Sequence, residues 1–193
     1  MEIMSLEEHS NRVAKAKKIM ILFASISMFM MFAGLTSAYI VSASRPDWLK
    51  EFSLPSAFTA STVIIFLSSV TVHLSKSAVK KDKRKIASLL LMTTLCLGCI
   101  FIGVQLYGFN EIIADGYFFT GPESTVTTSF LYVITMAHLA HIFAGIIVLL
   151  VLNFNHFKGK YRPTKLLGME LGIMFWHFVD MVWIFLYLFF SYF

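Results

Sequence analysis

The sequence predicts an all-α protein, a polytopic membrane helix bundle with five transmembrane helices that form a single domain over residues 1–193. Three observations carry this expectation. Hydrophobic residues make up 58% of the chain and charged ones only 14%, a balance that leaves too little polar surface to cover a soluble globule. Runs long enough to cross a bilayer, free or nearly free of charge, occur five times; a hydrocarbon core of roughly 30 Å takes about 20 helical residues to span. The runs are also apolar all round, with no alternation of period two, which excludes a barrel strand and leaves the helix as the structure that satisfies its own backbone in lipid.

The first span is expected at about residues 19–41, directly after the basic stretch RVAKAKK. A secretory signal has an apolar region of only about 7–15 residues, so a longer run reads as a retained helix. The second span is expected at about 56–75, after Pro55, and the third at about 86–107. The third contains Cys96 and Cys99, a CxxC that lies on one helical face inside the membrane. No second pair is present to complete a tetrahedral zinc site, so both read as small packing residues. The fourth and fifth spans are expected at about 126–153 and 166–193. Pro46, Pro55, Pro122 and Pro163 all fall in or beside the connections, where a missing N–H costs little. What remains outside the spans is too short for a soluble domain, and there is no internal repeat or low-complexity tract.

Basic residues divide unequally between the two ends of such a bundle. Arg12, Lys15, Lys17 and Lys18 precede the first span, Lys76, Lys80, Lys81, Lys83, Arg84 and Lys85 follow the second, and Lys158, Lys160, Arg162 and Lys165 follow the fourth. That places fourteen of the sixteen at one end, while the other has Arg45 and Lys50 with Asp47, Glu51, Glu111, Asp115 and Glu123. The rule that basic loops stay inside puts the N-terminus in the cytoplasm and the C-terminus in the periplasm. The segment KSAVKKDKRK is accordingly a topology signal that touches anionic headgroups, and no nucleic-acid partner is expected.

Charged groups at membrane depth cost about 2.5–3.5 kcal/mol each on insertion scales, so each needs a partner or a purpose. Glu170 and Asp180 lie in the fifth span with His177 between them. At 100° per residue Glu170 and His177 are about 20° apart and His177 and Asp180 about 60° apart, so the three share a face. The fourth span carries His138 and His141, level with His177 and Asp180 on an antiparallel neighbour. Structural pairing of these acids with these histidines is the expectation; metal or haem ligation and a proton relay are the alternatives the spacing leaves open. Gln105 in the third span is expected to bond a neighbouring helix. His73 lies near the basic end of the second span, where a side chain can reach the headgroups, and it is assigned no chemistry. The aromatic residues of the last span, Trp176 and Trp183 among them, read as packing.

The string FWHFVDMVWIFLY, from Phe175 to Tyr187, resembles the last-helix hallmark of cytochrome c oxidase subunit III. Glu170, seven residues before His177, is similar to that family's upstream glutamate, His138 and His141 to its HxxH, and Asp115 with Gly116 to its aspartate–glycine pair. Two departures stand out: full-length members have seven helices, so this chain resembles the shorter bacterial members that lack the first two, and with them the family's lipid-holding cleft. The family's membrane glutamate would fall near Ser27, and the first span contains no carboxylate.

The resemblance implies subunit III of an aerobic terminal oxidase that reduces oxygen to water coupled to proton pumping, in the bacterial cytoplasmic (inner) membrane. It implies a subunit without catalytic residues or cofactors of its own, which packs on subunit I and supports its stability and proton uptake. Haems and copper belong to partner subunits, subunit II is a further partner, and a small subunit IV, other respiratory complexes and bound phospholipid are compatible additions. The rival in the same superfamily is subunit III of a quinol oxidase; from another class, a small transporter or an assembly factor, against which the absence of inverted repeats and mid-span breakers speaks.

The charge count generates a direct test. Cysteine labelling in intact cells should find a probe in the N-terminal arm protected from periplasmic reagent and one at the C-terminal SYF reactive. The opposite pattern at either end would overturn the topology.

Overall fold

The computed structural model describes residues 2–49, 54–122, 124–163 and 166–193, with side chains from Glu8 onward. Lys50, Glu51, Glu123 and Lys165, which entered the charge count, lie outside the described residues. The described residues form five helices: α1 (Glu2–Ser42), α2 (Ser56–Lys80), α3 (Arg84–Ala114), α4 (Val126–Phe157) and α5 (Leu167–Tyr192). All five are long and apolar enough to cross a membrane, as the composition predicted. Several outrun their apolar stretch: α1 continues back through the basic arm, α3 on to Ala114 and α4 on to Phe157. The hydropathy run marks where lipid contact ends, whereas a helix goes on until something stops its hydrogen bonding.

What stops it is legible in the backbone. Asp82, Gly116 and Gly159 take positive φ (53°, 84° and 68°) just past the ends of α2, α3 and α4. Each is followed by the same pair of bonds, as in Gly116 N–H to the Ile113 carbonyl and Tyr117 N–H to the Ile112 carbonyl, 3.0 and 3.1 Å. This Schellman closure satisfies carbonyls that would otherwise be orphaned, and it needs a left-handed residue, for which glycine, and less often Asp or Asn, is suited. The Asp115–Gly116 pair is thus the stop of α3. At the start of α4, Thr125 and Thr128 form a reciprocal capping box.

α2 and α3 form a tight hairpin, α4 packs on α3 and α5, and α5 contacts α1, α2 and α4. Trp176 and Trp183 of α5 are buried, at 0% and 1% exposure, and reach the centre of the bundle. Trp176 fits a slot between α3 and α4 floored by glycines: a Cβ on Gly145 would stand 2.8 Å from its Cζ3, and one on Gly98 2.9 Å from its Cη2. Gly172 likewise admits Leu152 of α4, whose Cδ1 would lie 2.8 Å from an added Cβ. α1 is held differently. Tyr39 wedges between Trp48, Phe130, Phe189 and Phe190 at one end, Phe32 is fully buried nearer the middle, and only 11% of the helix's apolar stretch is covered, against 50% for α5.

Cys96 and Cys99, expected as packing residues, are exposed on the outer face of α3. The buried face of that helix is taken by Leu91, Thr94, Gly98, Phe101 and Gln105, because the close approach to Trp176 at Gly98 fixes the rotation of α3 and turns the thiols outward.

The glycine slot predicts a contrast. Gly145→Ala should lower the stability of the purified protein by roughly 1–3 kcal/mol, because a buried indole must move. Gly103→Ala, with nothing within 4 Å of the added methyl, should be neutral or mildly stabilising through helix propensity. Thermal unfolding in mild detergent, followed by tryptophan fluorescence, measures both.

Candidate functional site

The polar groups of the bundle are concentrated on a seam between α2 and α5. Trp176 donates its indole N–H to Ser68 Oγ at 3.0 Å and Trp183 to Thr62 Oγ1 at 3.0 Å. The Tyr187 and Thr59 hydroxyls are 2.9 Å apart, and Ser69 Oγ meets His177 Nδ1 at 2.5 Å. From Trp176 through Trp183 to Tyr187 the α2 partner falls from Ser68 through Thr62 to Thr59, which is the register of an antiparallel pair. On its other side α2 accepts the Gln105 amide of α3 at Ser61 Oγ, 2.6 Å away. Ser61, Ser68 and Ser75 are each fully buried, and a small residue at every seventh position of α2 is what lets its neighbours come close.

The structure places the expected acid–histidine network elsewhere than between α4 and α5. Glu170, His177 and Asp180 all look toward α2: Glu170 reaches Lys76 of α2 at 3.1 Å and Lys18 of α1 at 2.8 Å, His177 bonds Ser69, and Asp180 lines a cleft between α2 and α5. His138 of α4, 1% exposed, stacks on Trp183 with ring centroids 5.2 Å apart. Among the described residues neither of its ring nitrogens has a hydrogen-bond partner. His141 donates Nδ1–H to the Ala137 carbonyl of its own helix at 2.7 Å and faces Phe32. The expected pairing of the final-helix acids with His138 and His141 is therefore corrected. The reason is rotational: the hydroxyl acceptors for both indoles lie on α2, and Asp180, about 60° from Trp183 around the helix, is carried to that side with them.

Sequence reasoning missed several members of this arrangement. The serine heptad of α2 was visible as Ser61, Ser68 and Ser75 at a constant spacing of seven. Asn153 and His156 tie α4 to α3, through the Leu91 carbonyl at 3.4 Å and Ser88 Oγ at 3.0 Å. His73, exposed on α2, lies with its ring 6.0 Å from that of His177; it shares a face with Ser69 and Lys76 at helical spacing, a signal that the reading of His73 alone did not use. Outside the spans, the Arg45 guanidinium bonded to Asp47 holds that carboxyl below its ordinary range, and burial pushes the Tyr161 phenol up.

Among the described residues no three His, Cys, Asp or Glu side chains gather as a metal site requires. The aromatic and hydroxyl seam instead accounts for nearly every polar position of FWHFVDMVWIFLY, and over its whole length, residues 1–193, the chain matches the family described as cytochrome c oxidase subunit III. The chain belongs to that family. A cytochrome c oxidase subunit 3 from Thermostichus vulcanus is 30% identical over 184 residues, covering 93% of this chain and 89% of the relative. One from Bacillus sp. (strain PS3) is 27% identical over 161 residues, 81% of this chain and 76% of the relative. A cytochrome bo(3) ubiquinol oxidase subunit 3 from Pseudomonas aeruginosa is 30% identical over 158 residues, 80% of this chain and 74% of the relative. As a family member the chain is a multi-pass membrane subunit of a haem-copper oxidase complex, an oxidoreductase. For subunit III the hallmark of the last helix is here a set of hydrogen bonds to α2.

The seam predicts energetic coupling. Ser68→Ala leaves the Trp176 indole N–H buried without an acceptor and should cost about 1–3 kcal/mol. In the background of Trp176→Phe the same change should cost much less. A double-mutant cycle on thermal or denaturant unfolding in detergent should give a coupling of about 0.5–2 kcal/mol, and a coupling of zero would remove this bond from the account.

Proposed function

We propose that this chain is a non-catalytic subunit III of a cytochrome c oxidase in a bacterial cytoplasmic membrane, with its N-terminus inside and its C-terminus outside. In this reading it packs on subunit I, neighbours subunit II, and supports the stability and proton uptake of subunit I. The haems and copper that reduce oxygen belong to those partners; a small subunit IV and other respiratory complexes are further neighbours. One observation supports the non-catalytic part: although His73, His177 and Asp180 line one cleft, no three His, Cys, Asp or Glu side chains among the described residues converge as a metal site requires, and most are engaged elsewhere. His138 lies on Trp183, His141 on its own backbone, His177 on Ser69 and Glu170 on two lysines. A copper site needs imidazoles or thiolates converging on one point, and these separate engagements support the reading that the metals are held by the partner subunits.

Bound phospholipid belongs to the same reading. A cleft of about 480 Å³ between α1, α4 and α5 is walled by Ile21, Val148, Leu152 and Phe175, with Asn155 and Tyr161 near one end. That end adjoins the loop bearing Lys158, Lys160 and Arg162, so an acyl chain finds apolar walls and a phosphate finds cations.

A quinol oxidase is the second reading, supported by relatives in two Pseudomonas species that are named ubiquinol oxidase subunits. The α2–α5 seam serves either complex, because neither donor touches it in this reading.

Purification of the tagged chain in mild detergent tests the proposal. Haem should co-purify, visible in a reduced-minus-oxidised spectrum, and the complex should oxidise cytochrome c; oxidation of quinol instead would select the second reading. The subunit, once separated and still folded, should contain no stoichiometric iron or copper. Finding either metal in it would overturn the non-catalytic assignment.

A further inference from the structure

The cleft between α2 and α5 contains a polar group that the described residues of the chain do not fully satisfy. It has a volume of about 420 Å³ and is lined by Phe66, Ser69, His73, His177, Asp180 and Met181, among others. Asp180 is 2% exposed, yet neither carboxyl oxygen has a hydrogen-bond partner among the described residues. The Ser69 hydroxyl borders the carboxyl and also meets His177 Nδ1; its single proton serves at most one of the carboxyl's acceptor sites, and the lysines at the basic end are engaged with Glu170. A buried carboxyl left without a donor is costly in the membrane, whether ionised or neutral. The walls above it are apolar and open: Phe66 is 58% and Met181 67% exposed.

Depth narrows what can supply the missing donor. Asp180 lies thirteen residues after Leu167, the first residue of α5, which is about 20 Å along a helix of roughly 40 Å. That is mid-membrane, beyond the reach of a lipid headgroup, and acyl chains carry no donors. A side chain on another transmembrane helix brings a donor to that depth and covers the exposed apolar walls in the same contact. We propose that the α2–α5 cleft is the seat of a transmembrane helix from another subunit of the oxidase, which presents a hydrogen-bond-donating side chain to Asp180 and covers Phe66, Val70, Leu74 and Met181. The proposal rests on the reading of the chain as an oxidase subunit and adds which face docks and through which residue. Asp180 is then a docking residue. His177 and His73 form the polar wall on its basic side, and the Ser69 bond holds the His177 ring in place.

Two measurements on the assembled complex test it. The first places a photo-crosslinking amino acid at Val70 or Met181, each in turn, in the purified oxidase with Asp180 intact. Crosslinks to another oxidase subunit, identified by mass spectrometry, are expected at both positions. Crosslinks only to lipid, only to a second copy of this chain, or to nothing would overturn the proposal, while continued co-purification with haem would leave the oxidase-subunit reading standing. Loss of co-purification in the unmodified chain would instead remove that reading and the proposal with it.

The second measurement compares Asp180→Leu with the unmodified chain. Removing an unsatisfied buried polar group should leave the full chain, expressed alone and placed in lipid nanodiscs, at least as resistant to thermal unfolding as before. Its retention in the complex through a detergent wash should nevertheless weaken about tenfold or more. Should Asp180→Leu fail to fold, the crosslinks made with Asp180 intact decide the matter. Unchanged retention of a folded Asp180→Leu chain would sink the proposal, as would full retention accompanied by loss of initial oxygen reduction, which would mark Asp180 as a participant in proton movement.

Discussion

The bundle depends on one constraint: an indole N–H buried among lipid-facing helices must find an acceptor within the protein. Trp176 and Trp183 meet it at Ser68 and Thr62, and the requirement fixes both the rotation of α5 and its register along α2. Other features follow from that placement. The Trp176 ring demands glycine at positions 98 and 145, so α3 and α4 come within backbone distance of the ring on both of its sides. Trp183 presents its face to His138, which spends a buried imidazole on stacking. The carboxyl of Asp180 is turned to the α2 side as a consequence, where the Ser69 hydroxyl borders it and neither oxygen is fully satisfied among the described residues.

Serine and threonine suit this role because they are small as well as polar. Lipid tails provide no hydrophobic drive for helices to associate with each other, so contact area and hydrogen bonds must do so. The heptad Ser61, Ser68 and Ser75 supplies both on one face of α2, accepting from Gln105 on one side and from Trp176 on the other. α1 lacks such a stripe. It is fastened by an aromatic wedge at Tyr39, by Phe32 near its middle and by the Lys18–Glu170 pair at the basic end, and its remaining apolar surface faces outward. A helix held at separated points, with a cleft behind it, is suited to contact lipid or neighbouring subunits along its length.

The Lys18–Glu170–Lys76 cluster joins α1, α2 and α5 where all three leave the apolar layer. Its members are only partly exposed, so water screens the pairs less than at an open surface, and a single carboxylate is shared by two ammonium groups. Glu170 therefore sits where charge is least expensive for a membrane helix. Asp180, at mid-depth, sits where it is most expensive, and the two acids of α5 divide accordingly between a fastening of three helices and a buried group that lines the α2–α5 cleft.

The number of spans, their order, the basic end and the polar identity of the last helix were all legible in the sequence, because they follow from local quantities: the length of apolar runs, the count of cations and the residues themselves. The shared face of Glu170, His177 and Asp180 was legible too, since helical geometry fixes relative angles within one helix. Which neighbour that face meets was not. Periodicity says nothing about the rotation of one helix against another, and the reading assigned the face to the histidines of α4 because those were the conspicuous partners by residue type. Only the tertiary structure decided for α2, through the fit of Trp176 between two glycines and the hydroxyl acceptors within reach of both indoles. Cys96 and Cys99 were misplaced for the same reason: a sequence fixes which residues share a face, and packing alone decides whether that face is buried.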